Sequence, residues 1–319
     1  MQITPFVLGS GKAAQAITES LKVLEIVHPD ITLLPVQKLK RNQNFAEAVI
    51  GATHPVLFIA NPHALHAQAI LEGEAAGFKL IVCEKPGATS KEQIAALEKV
   101  TTPVAICHGY RQMWGIQTLK KMLDQGEFGE IISLEGRYWQ SSSAQKALLQ
   151  QKSTSWKNDQ NLSGPSDVLF DIATHWADAV IFLAGTKPEK LSLWRSYKNA
   201  EASHRDTHVH LQMEFPGGYR AMGSISKTVH GAPNHFEINV IGTKKYACWK
   251  FLEQDLLEVS SGATRSLITR DSTNMGSGHW PHHSLGWIEG YIEVIYQALK
   301  GGSYPTLKEN LSMMELLLE

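Results

Sequence analysis

Apolar residues in the first third of the chain come in short unbroken runs separated by amphipathic stretches. The runs at 3–8, 31–36, 56–60, 79–83 and 104–107 have the length of strands buried on both faces. Between them, 13–27 places Ala16, Ile17, Leu21 and Leu24 on one helical face. A short helix is predicted at 45–50, and another at 63–76 that stops at Gly77. A further helix opens at Ser90, where Gln93 completes a capping box, and it carries Ile94, Leu97 and Val100. This β-α repetition predicts a parallel sheet with helices on both faces.

The pattern changes after a helix at 116–123, which Gly126 ends. Residues 131–139 alternate like a half-exposed strand. The polar stretch 141–163 reads as a long loop or lid carrying Trp156. A helix at 168–183 precedes strands at 191–197, 207–215, 219–227, 236–241, 247–251 and 256–259, with Gly217-Gly218 as a hairpin turn. A helix at 287–299 carries Ile288, Tyr291, Ile292, Ile295 and Leu299. The expected fold class is α/β. An N-terminal Rossmann dinucleotide-binding domain (1–120) is followed by an α+β substrate domain (121–319) with a large, mostly antiparallel open sheet.

Composition narrows the partners. A chain of 319 residues, 43% hydrophobic, has ample core for two domains. Its 30 basic and 31 acidic residues leave no basic field for nucleic acid or an anionic membrane. Cys83, Cys107 and Cys248 are too scattered for a disulfide framework and read as buried thiols in a reducing compartment. No membrane-length apolar run or leader pattern is visible, so a cytoplasmic protein is expected.

The candidate chemistry begins at Cys83-Glu84-Lys85-Pro86, where a buried run ends and the chain turns. Ligands of open α/β sheets collect at that edge. On position alone, a reacting charged pair and a solvated turn are both open readings. Gly9-Ser10-Gly11-Lys12-Ala13-Ala14 fits the dinucleotide fingerprint. One glycine makes the turn, the next admits a pyrophosphate, and Ala14 keeps the helix close to the sheet. After the second strand the sequence is Gln37-Lys38-Leu39-Lys40-Arg41, with no carboxylate for a ribose. Lys38 and Arg41 are candidates to neutralise a 2′-phosphate, which favours NADP over NAD; an ordinary basic loop is the alternative.

Asp171 and His175 are four apart on the predicted 168–183 helix and so share a face. A histidine held by a carboxylate can act as a general base, though an isolated pair is more often structural. A cleft between the two domains would add Lys85 to them. His208-x-His210 and the cluster His279, His282 and His283 raise a metal question, but no carboxylate or cysteine set completes a site and no metal is expected. The loop Trp280-Pro281-His282-His283 is a candidate pocket lining.

Together these motifs resemble the glucose–fructose oxidoreductase / inositol dehydrogenase / MocA family over nearly the whole chain. Gly9-Ser10-Gly11 resembles its cofactor turn and Glu84-Lys85-Pro86 its EKP signature. Phe58-Ile59-Ala60-Asn61-Pro62-His63-Ala64-Leu65-His66 resembles its third-strand end, and Asp171-x-x-x-His175 its catalytic pair. His108-Gly109-Tyr110-Arg111, Gly126–Ile131 and Ile241-Gly242-Thr243-Lys244 resemble further segments. The resemblance implies that Asn61, Pro62, His66, Glu84 and Lys85 lie at the dinucleotide. It implies reversible hydride transfer between nicotinamide and a carbinol carbon of a sugar, cyclitol or related polyol. His175 would take the hydroxyl proton and Lys85 would polarise the oxygen. Asp171 would orient His175 or accept a substrate hydroxyl. Arg111, Trp139 and Trp156 are candidate pocket walls. Pairing through the sheet, as a homodimer or homotetramer, is also implied. Ser163-Gly164-Pro165-Ser166 departs from the paired glycines usual before the catalytic helix. A non-catalytic dinucleotide-binding regulator and an NAD-dependent glycosidase are the competing readings.

Overall fold

The computed structural model describes residues 1–149, 156–200, 202–270 and 285–319. They divide into two compact units. The first is a parallel sheet whose strands are β1 (Gln2–Leu8), β2 (Thr32–Leu33), β3 (Gln37–Leu39), β4 (Pro55–Ile59), β5 (Leu80–Cys83) and β6 (Val104–Ile106). Helices α1 (Lys12–Val27), α2 (Phe45–Ala48), α3 (His66–Ala76) and α4 (Lys91–Leu97) alternate with them. Every strand pairing among these is parallel. Both faces are covered, so β4 and β5 are buried at every position. The run at 31–36 does not form one strand. Within it only Thr32–Leu33 is strand (β2); the ladder is interrupted around Pro35, which has no N–H for it, and resumes past the run as β3, and both lie against β1.

The second unit, Met113–Asn274, begins with α5 (Trp114–Asp124) and β7 (Ile131–Trp139). Short helices α6 (Ser142–Leu148) and α7 (Gln160–Ser163) stand within the stretch expected to be loop. A π-helical turn at Leu169–Ala173 runs into α8 (Thr174–Ala184). Then come β8 (Lys190–Ser196), β9 (His208–Glu214), β10 (Arg220–Ser226), β11 (His235–Gly242), β12 (Tyr246–Lys250), β13 (Leu256–Ser261) and β14 (Thr264–Thr269). The eight strands run in the order β14-β13-β12-β11-β7-β10-β9-β8. Among these described strands only the β7–β10 pair is parallel. Trp176 of α8 sits directly on this sheet. A Cβ at Gly136 would lie 2.8 Å from its Nε1, and one at Gly223 2.7 Å from its ring. Glycine at both positions lets the helix approach that closely.

The chain then returns to the first unit. Helix α9 (Trp287–Lys300) packs Tyr291, Ile292, Ile295 and Leu299 into one cluster with Ile17, Leu21 and Leu24 of α1. Helix α10 (Leu307–Leu317) opens with a Thr306–Glu309 capping box. Just before it, Ile106 donates its N–H to the Pro305 carbonyl at 2.8 Å, which extends the sheet beyond β6. A cut at residue 120 would fall inside α5. The unit boundary lies at Gln112/Met113, and both C-terminal helices belong to the first unit, where the apolar face of α9 completes the core and α10 buries Leu307, Leu311 and Met314. No described helix is long and apolar enough to cross a membrane.

Candidate active site

Gly9 leaves β1 with φ 131°, a conformation other residues avoid. A Cβ there would stand 2.4 Å from the Ala60 carbonyl oxygen, so the turn lies against the end of β4. Gly11 is the N-cap of the 16-residue α1 and supplies no side-chain cap; a Cβ on it would meet nothing within 4 Å. Ser10 and Lys12 are exposed, Ala14 is buried, and the first turn of α1 carries no acid. The helix N-terminus thus presents its N–H groups to open space, which suits a pyrophosphate. Beside it, the enclosed Oδ1 of Asn61 has no hydrogen-bond partner among the described residues. Such an acceptor costs stability unless a ligand donor meets it, so the residues present fit a dinucleotide. Lys38 stands opposite Val7 on β1, and the exposed Lys40 and Arg41 follow at the edge where Gly9 lies.

The Glu84-Lys85-Pro86 loop leaves the next strand along, and both its flanks are tied down. The Glu84 N–H donates to the Ile59 carbonyl at 2.8 Å, and its carboxylate accepts the Tyr291 hydroxyl. The Gly87 N–H donates to Asn310 Oδ1 at 3.0 Å, while Asn310 Nδ2 meets His108 Nε2 at 3.0 Å. Lys85 between them is buried. His66 is fully enclosed, with Nδ1 2.7 Å from the Pro86 carbonyl and Nε2 2.9 Å from that of Asn61. Burial pulls its ring down to about 4, so it is neutral, and its single N–H serves one carbonyl at a time. His66 therefore joins the Asn61 and Pro86 loops instead of facing a ligand. The Glu84 side chain likewise turns inward to Tyr291. Pro62 is half-buried ahead of the turn His63–Leu65.

Two expected pocket walls are placed elsewhere. Arg111 is buried, and its Nη1 donates to Glu309 Oε1 at 3.0 Å, pinning the turn Gly109–Gln112 to α10. Strand alternation puts Tyr138 on the α8 side of the sheet, with its ring 6.3 Å from that of His175. Trp139 points to the other face, where its Nε1 donates to Ser224 Oγ at 3.1 Å and Arg137 stacks at 4.7 Å. There it lines a hollow of about 490 Å³ with Trp194, His210 and Met222. Trp156 is half-buried in the turn Trp156–Asn158.

Asp171 lies in the π turn and His175 at the start of α8. The Asp171 Oδ2 accepts from Lys157 Nζ at 2.5 Å and from Lys227 Nζ. Lys227 also reaches Asp167 Oδ1 at 2.8 Å, and Arg205 clasps Asp167 Oδ2 with Nε at 3.1 Å and Nη2 at 2.6 Å. Asp206 accepts from the N–H groups of Asp167, Val168 and Leu169, which caps the helical segment from a distance in sequence. Burial works against ionisation of Asp167, but Lys227 and Arg205 hold its carboxyl below the usual range. Burial, with the like charge of Lys227, brings Lys157 down to about 8 despite Asp171. Neither Lys227 nor Arg205 is near Asp171 in sequence, so spacing alone did not reveal them. The repeat Asp167–Asp171–His175 at four-residue intervals was the one available signal.

The segment 116–247, from α5 into β12, matches the family model described as the GFO/IDH/MocA C-terminal domain. Over those residues the chain is similar to the C-terminal domain of GFO/IDH/MocA proteins. A curated relative, levoglucosan dehydrogenase of Pseudarthrobacter phenanthrenivorans, is 27% identical over 274 residues, 75% of this chain and 68% of that protein. The solved structure of a levoglucosan dehydrogenase in complex with NADH and levoglucosan superposes with a TM-score of 0.84 at 22% identity, covering 99% and 95% of the two chains. An inositol dehydrogenase homologue from Azotobacter vinelandii, complexed with NAD+, gives 0.85 at 18%, covering 99% and 94%. Both share this fold.

Among the described residues no group of three or more His, Cys, Asp or Glu is placed to hold a metal ion. His208 and His210 stack on one another with ring centroids 4.6 Å apart. His279, His282 and His283 lie outside the described residues.

Proposed function

We infer that the protein is a nicotinamide-dependent oxidoreductase that moves a hydride between the dinucleotide and a carbinol carbon of a sugar, cyclitol or related polyol. The observation that carries this reading is the cradle at the end of β1: Gly9 under steric obligation, Gly11 opening onto an uncapped helix, and Asn61 Oδ1 awaiting a donor. Kinship with a curated sugar dehydrogenase supports the substrate class. The bound nicotinamide supplies the hydride acceptor or donor. The chain's own residues do the rest. The α1 N–H groups hold the pyrophosphate. The Lys85 ammonium steadies negative charge developing on the substrate oxygen. The His175 imidazole takes the hydroxyl proton in the oxidative direction. Asp171, an acceptor held between ammonium groups, orients the imidazole or receives a substrate hydroxyl. Trp156 remains the candidate for a pocket wall.

The finer cofactor choice is NADP. Lys38, Lys40 and Arg41 stand together where a ribose carboxylate is missing, and a 2′-phosphate complements them. Comparing dissociation constants for NADPH and NADH tests the choice, and tighter NADH binding overturns it. The outer sheet face exposes Trp194 and Met222, which supports pairing of two copies through the sheet as a homodimer or homotetramer. Sedimentation of a single monomeric species would end that reading.

The reaction itself is tested by screening sugars, inositols and their keto forms for change in nicotinamide absorbance with each cofactor. Lys85→Ala is expected to cut turnover by orders of magnitude while dinucleotide affinity stays within about tenfold, ~1.4 kcal/mol. Unchanged turnover discards the assignment of Lys85. Absence of any free reduced cofactor during turnover would favour the glycosidase reading.

A further inference from the structure

Asp167 and Asp171 stand one turn apart at the head of the helical segment, with the Asp171 N–H bonded to the Asp167 carbonyl at 2.8 Å. A cation reaches both carboxylates. It is Lys227, which follows β10, and its side chain is only 4% exposed. The two acids differ in surroundings. Asp167 is closed in by Arg205 and Lys227 with 7% of its side chain exposed, whereas Asp171 keeps 19%. Asp171 is thus the outer end of an inward-running chain of charges.

We propose that Lys227 is a positioning residue of the reaction site: its buried ammonium, shared by Asp167 and Asp171, keeps the Asp171 carboxylate ionised and fixed at one turn from His175. This rests on the reading that Asp171 belongs to that site. Two carboxylates brought together away from water cannot both stay ionised unless a cation is shared between them. Among the described residues, the other charged groups around Asp171 are placed differently. Lys157, from the turn Trp156–Asn158, adds a second ammonium on the same Oδ2, whereas Lys227 bridges the two acids. Arg205 spends its Nε and Nη2 on Asp167, and Asp206 is occupied by three backbone N–H groups. Arg195 donates to Ser166 Oγ, and His204 touches Ser163 Oγ and the Lys157 carbonyl. Burial acts against the charge of Lys227, but the two carboxylates more than offset this and push the ammonium up.

The full-length protein carrying Lys227→Met, Lys227→Arg or Asp167→Asn tests this in two ways. One is the acid limb of kcat/KM for the polyol. The other is the aspartate carboxyl 13C titration, assigned with Asp171→Asn, which needs no substrate. Lys227→Met is expected to raise the Asp171 midpoint and the acid limb by about one pH unit or more. Turnover at neutral pH then falls at least about tenfold while dinucleotide affinity holds. Lys227→Arg restores the limb. Asp167→Asn, which removes the like charge and leaves Lys227 to Asp171 alone, moves both quantities the other way. A purely structural cluster would lower stability and turnover with the limb and the 13C midpoint unmoved in both variants, and that result overturns the proposal. If Lys227→Met does not fold, the sign of the Asp167→Asn shift decides. If no polyol is turned over by the wild type, the dehydrogenase reading fails on its own, and the 13C titration still decides the role of Lys227.

Discussion

The Tyr291 hydroxyl donates to the Glu84 carboxylate across 207 positions of the chain. The bond links α9 to the loop that carries Lys85, and both partners are buried. Burial and the adjacent carboxylate push the phenol up, so it remains a donor at any working pH.

Tyr291→Phe removes one charge-assisted hydrogen bond while keeping the ring that packs against α1. A loss of about 1.5–3 kcal/mol is expected in urea unfolding. Turnover should fall as well, because Glu84 precedes Lys85, while dinucleotide affinity stays close to that of the parent. An unaltered midpoint and unaltered turnover together would show that the contact supports neither the fold nor the loop.

Gly9 and Gly11 respond differently to the same added methyl group. At Gly9 it collides with the Ala60 carbonyl at 2.4 Å and requires a backbone conformation that alanine resists. Gly9→Ala is therefore expected to lower both Tm and dinucleotide affinity. At Gly11 the protein leaves open space, so Gly11→Val should lower Tm by only about a few degrees, the cost of a poorer N-cap. It should still weaken the dinucleotide by about 100-fold, ~2.7 kcal/mol, because the side chain fills the place of the pyrophosphate. Calorimetric titration and thermal melts of the two variants separate these outcomes. Full affinity in Gly11→Val would mean that the phosphates sit elsewhere.

Asn310 works from the far side of the same loop. Its amide accepts from Gly87 and meets His108. Asn310→Ala strands a buried N–H and is expected to cost about 1–3 kcal/mol. The loss should show as faster hydrogen exchange at Gly87 before it shows in global unfolding. Parent-like protection at Gly87 in the variant would contradict this.

Legibility from the sequence followed how local each cause was. The parallel strands were readable because burial on both faces writes an unbroken apolar run, as at 79–83. The break in the second strand was signalled by Pro35, although the apolar residues around it hide the interruption. The return of α9 to the first unit was not readable. Its apolar stripe of Tyr291, Ile292 and Ile295 shows that the helix has a buried face but not which sheet receives it. The turn after β1 was legible because local geometry requires glycine at position 9. That Asp171 and His175 stand on one helical segment was legible from spacing, yet their surroundings were not, since Lys227 and Arg205 come from the ends of distant strands. Trp139 could have been assigned to the outer face by parity with Leu134 and Tyr138. Arg111 offered no such rule, because its Glu309 partner lies 198 residues away.

Acid stability depends on Asp167, and the sign follows from its partners. Burial alone would raise its carboxyl, but Lys227 and Arg205 hold the folded-state value below the ordinary 3.8. As pH falls through 3.8 the unfolded chain takes up a proton that the folded protein still refuses. The stabilisation is therefore complete above that value and is lost as pH drops through the folded-state one. Lys157 acts at the other end of the scale. Between about 8 and 10.5 the folded protein has released a proton that the unfolded chain keeps, so its contribution rises with pH over that window. Trp176 and Trp249 are fully buried in the same unit and report its unfolding by fluorescence. Between pH 5 and pH 3 the parent protein should lose more in Tm than Asp167→Asn, which has no carboxylate there to protonate. Parallel Tm curves for the two proteins across that interval would show that the ion cluster does not govern acid unfolding.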